Sequence, residues 1–192
     1  HGAGSVVSIG ACVVGDIRTL FYRELKPRNP SFHPESLTVA SKQLLCVDAE
    51  TVSKGCEAVM HKLERDGIPP KDALQDYSQW VATLALAHPV EAAAPVKYDG
   101  GLMAEYYREN GLENPFGWNG EDINSLYRGF MCDPNTHIVN LQLREGENPH
   151  NALRDAQIQA IEMEVVLQLM RMNKNSRGTL QKLILEKGVD QL

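Results

Sequence analysis

No stretch of this sequence approaches the roughly 18 consecutive apolar residues of a membrane span, so the chain reads as a soluble protein with no membrane partner. Cysteine is scarce. The four, Cys12, Cys46, Cys56 and Cys132, form no Cys-x-x-Cys pair and are too few for a disulfide scaffold. They are expected to be small apolar residues in a reducing, cytoplasmic setting. The histidines have no zinc-ligand spacing, since His33, His61, His88 and His137 stand far apart, which argues against a structural zinc. Gly-x-Ser-x-Gly is absent, and with it the nucleophile elbow of a serine hydrolase. Gly-x-Gly-x-x-Gly is absent too, so dinucleotide binding has no fingerprint. The opening His1-Gly2-Ala3-Gly4 lacks the basic start and apolar stretch of a secretory signal. Positive charge is not in excess: the formal net charge is −6, which argues against polybasic attraction to nucleic acid.

What remains is an ordinary globular composition. A chain of 192 residues, 43% hydrophobic and 23% charged, suits one domain with a sizeable core. Residues 1–175 are assigned to that domain and 176–192 to a C-terminal helical extension, whose Leu180, Leu183, Ile184 and Leu185 permit packing on the domain or in a homodimer. Ser5 to Val14 is rich in β-branched and small residues and predicts a buried strand. Gly15-Asp16 marks a turn into a second strand, Leu20 to Leu25, giving an antiparallel hairpin. Pro27, Pro30 and Pro34 break the pattern, and a short helix is expected from Ser36 to about Leu45.

Val52, Cys56, Val59, Met60 and Leu63 predict a helix between Asp48 and Asp66, and Ala73, Tyr77, Trp80, Val81 and Leu84 predict another that ends before Pro89. Tyr77 and Trp80 are expected in the core. Val90 to Val96 reads as a short strand, followed through Asp99 by a helix that stops at Gly111. A carboxylate at a strand-to-helix junction suits chemistry in α/β folds, although Asp99 could equally be a helix cap. Glu121 to Gly129 predicts a short helix with acids first, glycine last and Asp122 as its cap. Thr136 to Leu143 alternates from Ile138 onward, as a strand does.

The most strongly periodic helix follows Pro149-His150-Asn151-Ala152-Leu153-Arg154-Asp155. Ile158, Ile161, Val165 and Leu169 should face a core, with Asn148 as a possible cap and Pro149 in the first turn. Residues five apart on a regular helix are rotated by about 140°. His150 must therefore lie on the entry loop or helix tip if it is to share a site with Asp155. That position suits a mobile general base beside a rigidly held carboxylate.

In order and spacing, several segments resemble the DEDDh family of 3′–5′ exonucleases, whose fold is RNase H-like: a mixed central β-sheet flanked by helices. Ser8-Ile9-Gly10-Ala11 resembles the family's second strand and Phe21 to Pro27 its third. Val90 to Asp99 looks like the segment ending in the second-motif aspartate, here Tyr98-Asp99. Asn114-Pro115-Phe116-Gly117 and Asp122 to Tyr127 resemble the stretch between the second and third motifs. His150-Asn151-Ala152-Leu153-Arg154-Asp155 fits the third motif, His-x-x-x-x-Asp.

The resemblance implies a metal-dependent enzyme acting on single-stranded DNA or RNA 3′ ends. Asp99 and Asp155 would ligate Mg2+ or Mn2+ in a two-metal site, and His150 would take a proton from the attacking water. Hard divalent cations prefer carboxylate oxygens, and an unperturbed histidine titrates near neutrality. One departure stands out. The family's first motif, Asp-x-Glu, lies on the strand before Ser-Ile-Gly-Ala, and His1 to Val7 contains no acid. The expectation is that the sequence begins downstream of that strand or that another segment takes its place. Glu24 and Asp16, in the hairpin, are poor substitutes. The alternative is a catalytically incomplete RNase H-like module that binds nucleic acid or protein, and a third reading is a purely structural α/β domain.

Overall fold

The computed structural model describes residues 5–138 and 151–172. The Ser-Ile-Gly-Ala-Cys-Val run becomes β1 (Ser8–Val13), which pairs antiparallel with β2 (Asp16–Glu24) in the register Ser8↔Glu24, Gly10↔Tyr22 and Cys12↔Leu20. Gly15, at φ +86°, makes the turn. The second strand starts four residues earlier than the pattern predicts, because Asp16 organises its own entry by accepting from the Thr19 hydroxyl (2.6 Å) and the Arg18 N–H (3.2 Å).

The proline-rich segment leads into α1 (Pro34–Ser41), with Pro34 in the first turn. The single helix expected between Asp48 and Asp66 is two helices, α2 (Ala49–Ser53) and α3 (Cys56–Asp66). Gly55, at φ +95°, breaks them apart in a conformation that side chains rarely adopt. Helix α4 (Pro70–Thr83) buries Ala73, Leu74, Tyr77 and Val81. Tyr77 stacks on Trp80 at 5.7 Å and meets Phe21 at 5.0 Å, as expected of core aromatics.

The short strand is β3 (Glu91–Ala93), and it runs parallel to β4 (Gly120–Asp122). Helix α5 (Val96–Glu109) starts before Asp99, which therefore sits inside the first turn rather than at a cap. Glu121, expected at a helix start, is in β4. Helix α6 (Ile123–Met131) begins behind Asp122, whose side chain caps it by accepting from the Ser125 N–H at 2.7 Å. Gly129 lies within α6, and the left-handed residue at its end is Cys132.

Helix α7 (Ala152–Met172) is capped by Asn151, whose Oδ1 accepts from the Arg154 N–H at 2.9 Å, while Asn148, the expected cap, lies outside the described residues. Its buried residues are Ile158, Ala160, Glu162, Met163 and Val166 rather than one stripe through Ile161, Val165 and Leu169. The reason is a change of partner along its length, since α7 packs on β1, β2, β3 and α6. Of the strand expected over Thr136 to Leu143, Thr136, His137 and Ile138 are described and none is in a strand; the remainder, Pro149, His150 and the 176–192 extension lie outside the described residues.

The described residues thus form a mixed α/β fold with two two-stranded ladders. One core joins β1 and β2 to α4 and α5, through Ile9, Phe21, Leu74 and Tyr106. A second gathers Leu37, Leu44, Val59 and Leu63, and a third joins Ile123 and Tyr127 of α6 to Met163 and Val166 of α7. Glu24 staples the second core to the hairpin, accepting from the Tyr22 hydroxyl (2.6 Å), from the Cys46 N–H (2.8 Å) and from the Leu45 N–H. Burial pushes its pKa up, but these hydrogen bonds outweigh burial and hold it below the ordinary value. No helix among the described residues is long and apolar enough to cross a membrane.

Gly10 sets the approach of α7. A Cβ there would stand 2.3 Å from the Ala152 carbonyl carbon and 2.3 Å from the Leu153 nitrogen, both backbone atoms that cannot swing aside. Gly129, by contrast, has nothing within 4 Å. Gly10→Ala should destabilise the protein by about 1–3 kcal/mol or more through overpacking. Gly129→Ala should stabilise it by about 0.5–1 kcal/mol by removing a helical glycine. Thermal denaturation of the two variants beside the wild type checks both signs.

A candidate carboxylate-lined active site

Three elements converge on one cleft because each is tied down next to the residue it presents. Asp122 acts twice at the start of α5: while one oxygen caps α6, its Oδ2 accepts from the Val96 N–H at 3.2 Å. That bond fixes the first turn of α5, and with it Tyr98 and Asp99, to the end of β4. Helix α7 is held at four places along its N-terminal half. Asn151 Nδ2 donates to the Gln43 carbonyl (3.2 Å), Cys12 Sγ to the Ala156 carbonyl (3.4 Å) and Gln157 Nε2 to the Ile17 carbonyl (3.2 Å), and Gln159 Oε1 accepts from the Ala94 N–H (2.9 Å). Asp155 projects from this anchored stretch.

The cleft between them has a volume of about 970 Å³ and is lined by β1, by Glu91 on β3, by Tyr98 and Asp99 on α5, and by Asp155, Ala156 and Gln159 on α7. Asp99 and Asp155, fifty-six positions apart in sequence, face the same space and feel each other's charge. Burial raises the Asp99 pKa, and the Asp155 carboxylate raises it further. His150, the third residue expected at this site, lies outside the described residues.

A further acid belongs here that the sequence pattern did not single out. Glu91 lines the same cleft, and burial, with the charge of Asp99 added, pushes its pKa up to about 7. Its carboxyl rests against Gly100, where a Cβ would lie 2.7 Å from Glu91 Oε2. The signal available was a lone charge in the otherwise apolar Val90-Glu91-Ala92-Ala93-Ala94 run, eight residues before Asp99. Glu24 and Asp16 take no part, since their oxygens are committed to the hydrogen bonds of the hairpin and its neighbouring loop.

The donor set suits a hard cation. Two carboxylates in one cleft, each opposing the other's ionisation, match magnesium, which is commonly held by one or two carboxylates and keeps several waters. Among the described residues no three His, Cys, Asp or Glu side chains group as a metal site; Asp99 and Asp155 are two carboxylates of this cleft that could hold a cation.

A family model described as the 3'-5' exoribonuclease Rv2179c-like domain matches residues 2–167, and the chain belongs to this family of 3'-5' exonucleases. It is also similar to the 3'-5' DNA exonuclease Cap18 of Escherichia coli, with 26% identity over 183 residues, covering 92% of this chain and 89% of that protein.

Glu91 makes the cleft's electrostatics measurable. Its folded-state pKa of about 7 exceeds the ordinary 4.5, so the fold favours the protonated form. The resulting stability is fully present below about pH 4.5 and is lost as pH rises through about 7. Glu91→Gln, which cannot ionise, should gain in melting temperature over the wild type at pH 8 and should flatten the melting profile between pH 5 and 8 in chelator. Equal pH slopes in the two proteins would contradict this assignment.

Proposed function

We propose that this chain is a metal-dependent 3′–5′ exonuclease with an RNase H-like fold, hydrolysing phosphodiester bonds at single-stranded nucleic-acid ends. The observation that carries the reading is the meeting of Asp99 and Asp155 in one cleft, in a chain that belongs to an exonuclease family. The family's description speaks of RNA and the Escherichia coli relative's of DNA. The reading accordingly covers both, which share phosphates and stacking faces.

Asp99 and Asp155 would hold Mg2+ or Mn2+. When bound, such an ion supplies charge neutralisation at the phosphate and makes a water more acidic. The chain's own residues orient and exchange protons. Asp99 is carried by a first turn fixed through Asp122, and Asp155 by a helix lashed to the hairpin and to the Ala94 backbone, so the two carboxylates are preorganised. His150 is assigned as the group that accepts the proton of the attacking water, on its third-motif spacing to Asp155. The Asn151 side chain is engaged with the Arg154 N–H and the Gln43 carbonyl, which makes it a positioning residue for the helix start.

Asp99→Asn and Asp155→Asn should each abolish manganese binding measured by calorimetry, together with trimming of a labelled oligonucleotide. His150→Gln should keep the binding and lower the trimming rate by about 10²–10⁴-fold. A folded wild-type chain that binds no manganese and trims nothing would favour the alternative, a catalytically incomplete nucleic-acid-binding or protein-interaction module.

A further inference from the structure

One polar side chain of the cleft is fixed in place and still has hydrogen-bonding capacity unused. Gln159 follows Asp155 on α7 by four residues, one turn further on the same face and about 6 Å along the axis. It lines the cleft that holds Asp99 and Asp155. The Ala94 N–H can only donate, so the atom that meets it at 2.9 Å must be the amide oxygen of Gln159, which leaves the NH2 group to face elsewhere. That group makes no hydrogen bond among the described residues, and Nε2 is not a buried atom. The other amides near the start of α7 differ. Asn151 and Gln157 direct their NH2 groups at the Gln43 and Ile17 carbonyls, and so serve the fold.

The charge of the cleft decides what such a donor suits. Its described lining includes Glu35, Glu91, Asp99 and Asp155 but no Lys, Arg or His. A phosphate held there through a cation at the carboxylates still has oxygens that need donors. A lysine at position 159 would pair with Asp155, four residues earlier, and compete with the cation for it. A neutral amide offers N–H groups to an anion without neutralising that carboxylate. Because the Ala94 bond already holds the amide, its donors are aimed before a substrate arrives and need no reorganisation.

We infer that Gln159 is a substrate-binding residue, donating from Nε2 to a non-bridging oxygen of the last phosphodiester of a nucleic acid held at Asp99 and Asp155. The inference rests on the exonuclease reading and adds the contact by which the chain itself, rather than a cation, recognises the phosphate. The oxygen end of the amide ties α7 to the segment entering α5, and the nitrogen end meets the substrate. One side chain thus registers the phosphate against both carboxylate-bearing helices.

The test is the affinity of a ten-nucleotide single strand, read by fluorescence anisotropy in calcium, which takes the same kind of oxygen ligands as magnesium. An ordinary strand is compared with strands carrying a methylphosphonate at the last linkage, where a methyl group replaces one non-bridging oxygen, each isomer taken separately. Gln159→Met, unbranched and of similar length but without a donor, should bind the ordinary strand about tenfold more weakly than wild type. With one methylphosphonate isomer the two proteins should bind equally, because the oxygen that Nε2 meets is gone. Gln159→Glu keeps an acceptor for the Ala94 N–H and has no donor, so it should lose affinity for the ordinary strand as well, which a purely structural role would not produce. Melting temperatures show that each variant is folded, and either variant alone carries the comparison. Equal affinity of the variants and wild type for the ordinary strand, or a gap that persists undiminished with both isomers, would overturn the inference and leave the exonuclease reading in place. A wild-type protein that binds neither manganese nor the strand would overturn both.

Discussion

Backbone contact at Gly10 is the constraint on which the rest depends. With no side chain at that position, the start of α7 lies directly against β1, close enough that a single methyl would collide with the Ala152–Leu153 peptide. The approach sets the depth of Asp155 in the cleft and lets Cys12 reach the Ala156 carbonyl and Gln157 the Ile17 carbonyl. Further along, Gln159 reaches across to the Ala94 N–H beyond β3, so the same helix spans the hairpin and the parallel pair. A functional side chain on a helix held in this way is positioned by backbone packing rather than by its own few contacts, which is the arrangement an active site requires.

The same packing forces like charges together. Asp99 and Asp155 share a space partly withdrawn from water, with Glu91 close enough to feel Asp99, and each ionisation makes the next one harder. Such an arrangement costs stability through like-charge repulsion, and under the proposed reading a divalent cation would offset that cost. Two acids away from this cluster behave oppositely. Glu24 and Asp122 are held below their ordinary pKa values by hydrogen bonds, and both serve as structural staples. The contrast separates carboxylates that build the fold from those crowded into this cleft.

Much of this was legible in the sequence. The β1–β2 hairpin followed from β-branched residues flanking Gly15-Asp16, the α4 core from apolar spacing, and the Asp122 cap from acids placed before Ile123. Motif spacing points to Asp99 and Asp155, and both line one cleft. Errors arose where long-range contacts decide the outcome. Periodicity ran through Gly55 and joined two helices, because φ +95° is a property of a turn that hydrophobic spacing does not encode. The α7 stripe was misassigned because the helix changes partners along its length, exchanging β1 for α6. Glu91 was missed because its role depends on Gly100 leaving room for its carboxyl and on the charge of Asp99, neither of which is visible in a short alanine-rich strand.

The central claim is that Asp99 and Asp155 form one electrostatic site, and NMR titration of the Asp99 carboxyl in cation-free solution tests it most directly. In the wild type its pKa should lie above the ordinary aspartate value, and in Asp155→Asn it should fall as the opposing charge is removed. An Asp99 pKa that does not move in a folded Asp155→Asn protein would mean that the two carboxylates do not share a site, and the account built on their meeting would be wrong.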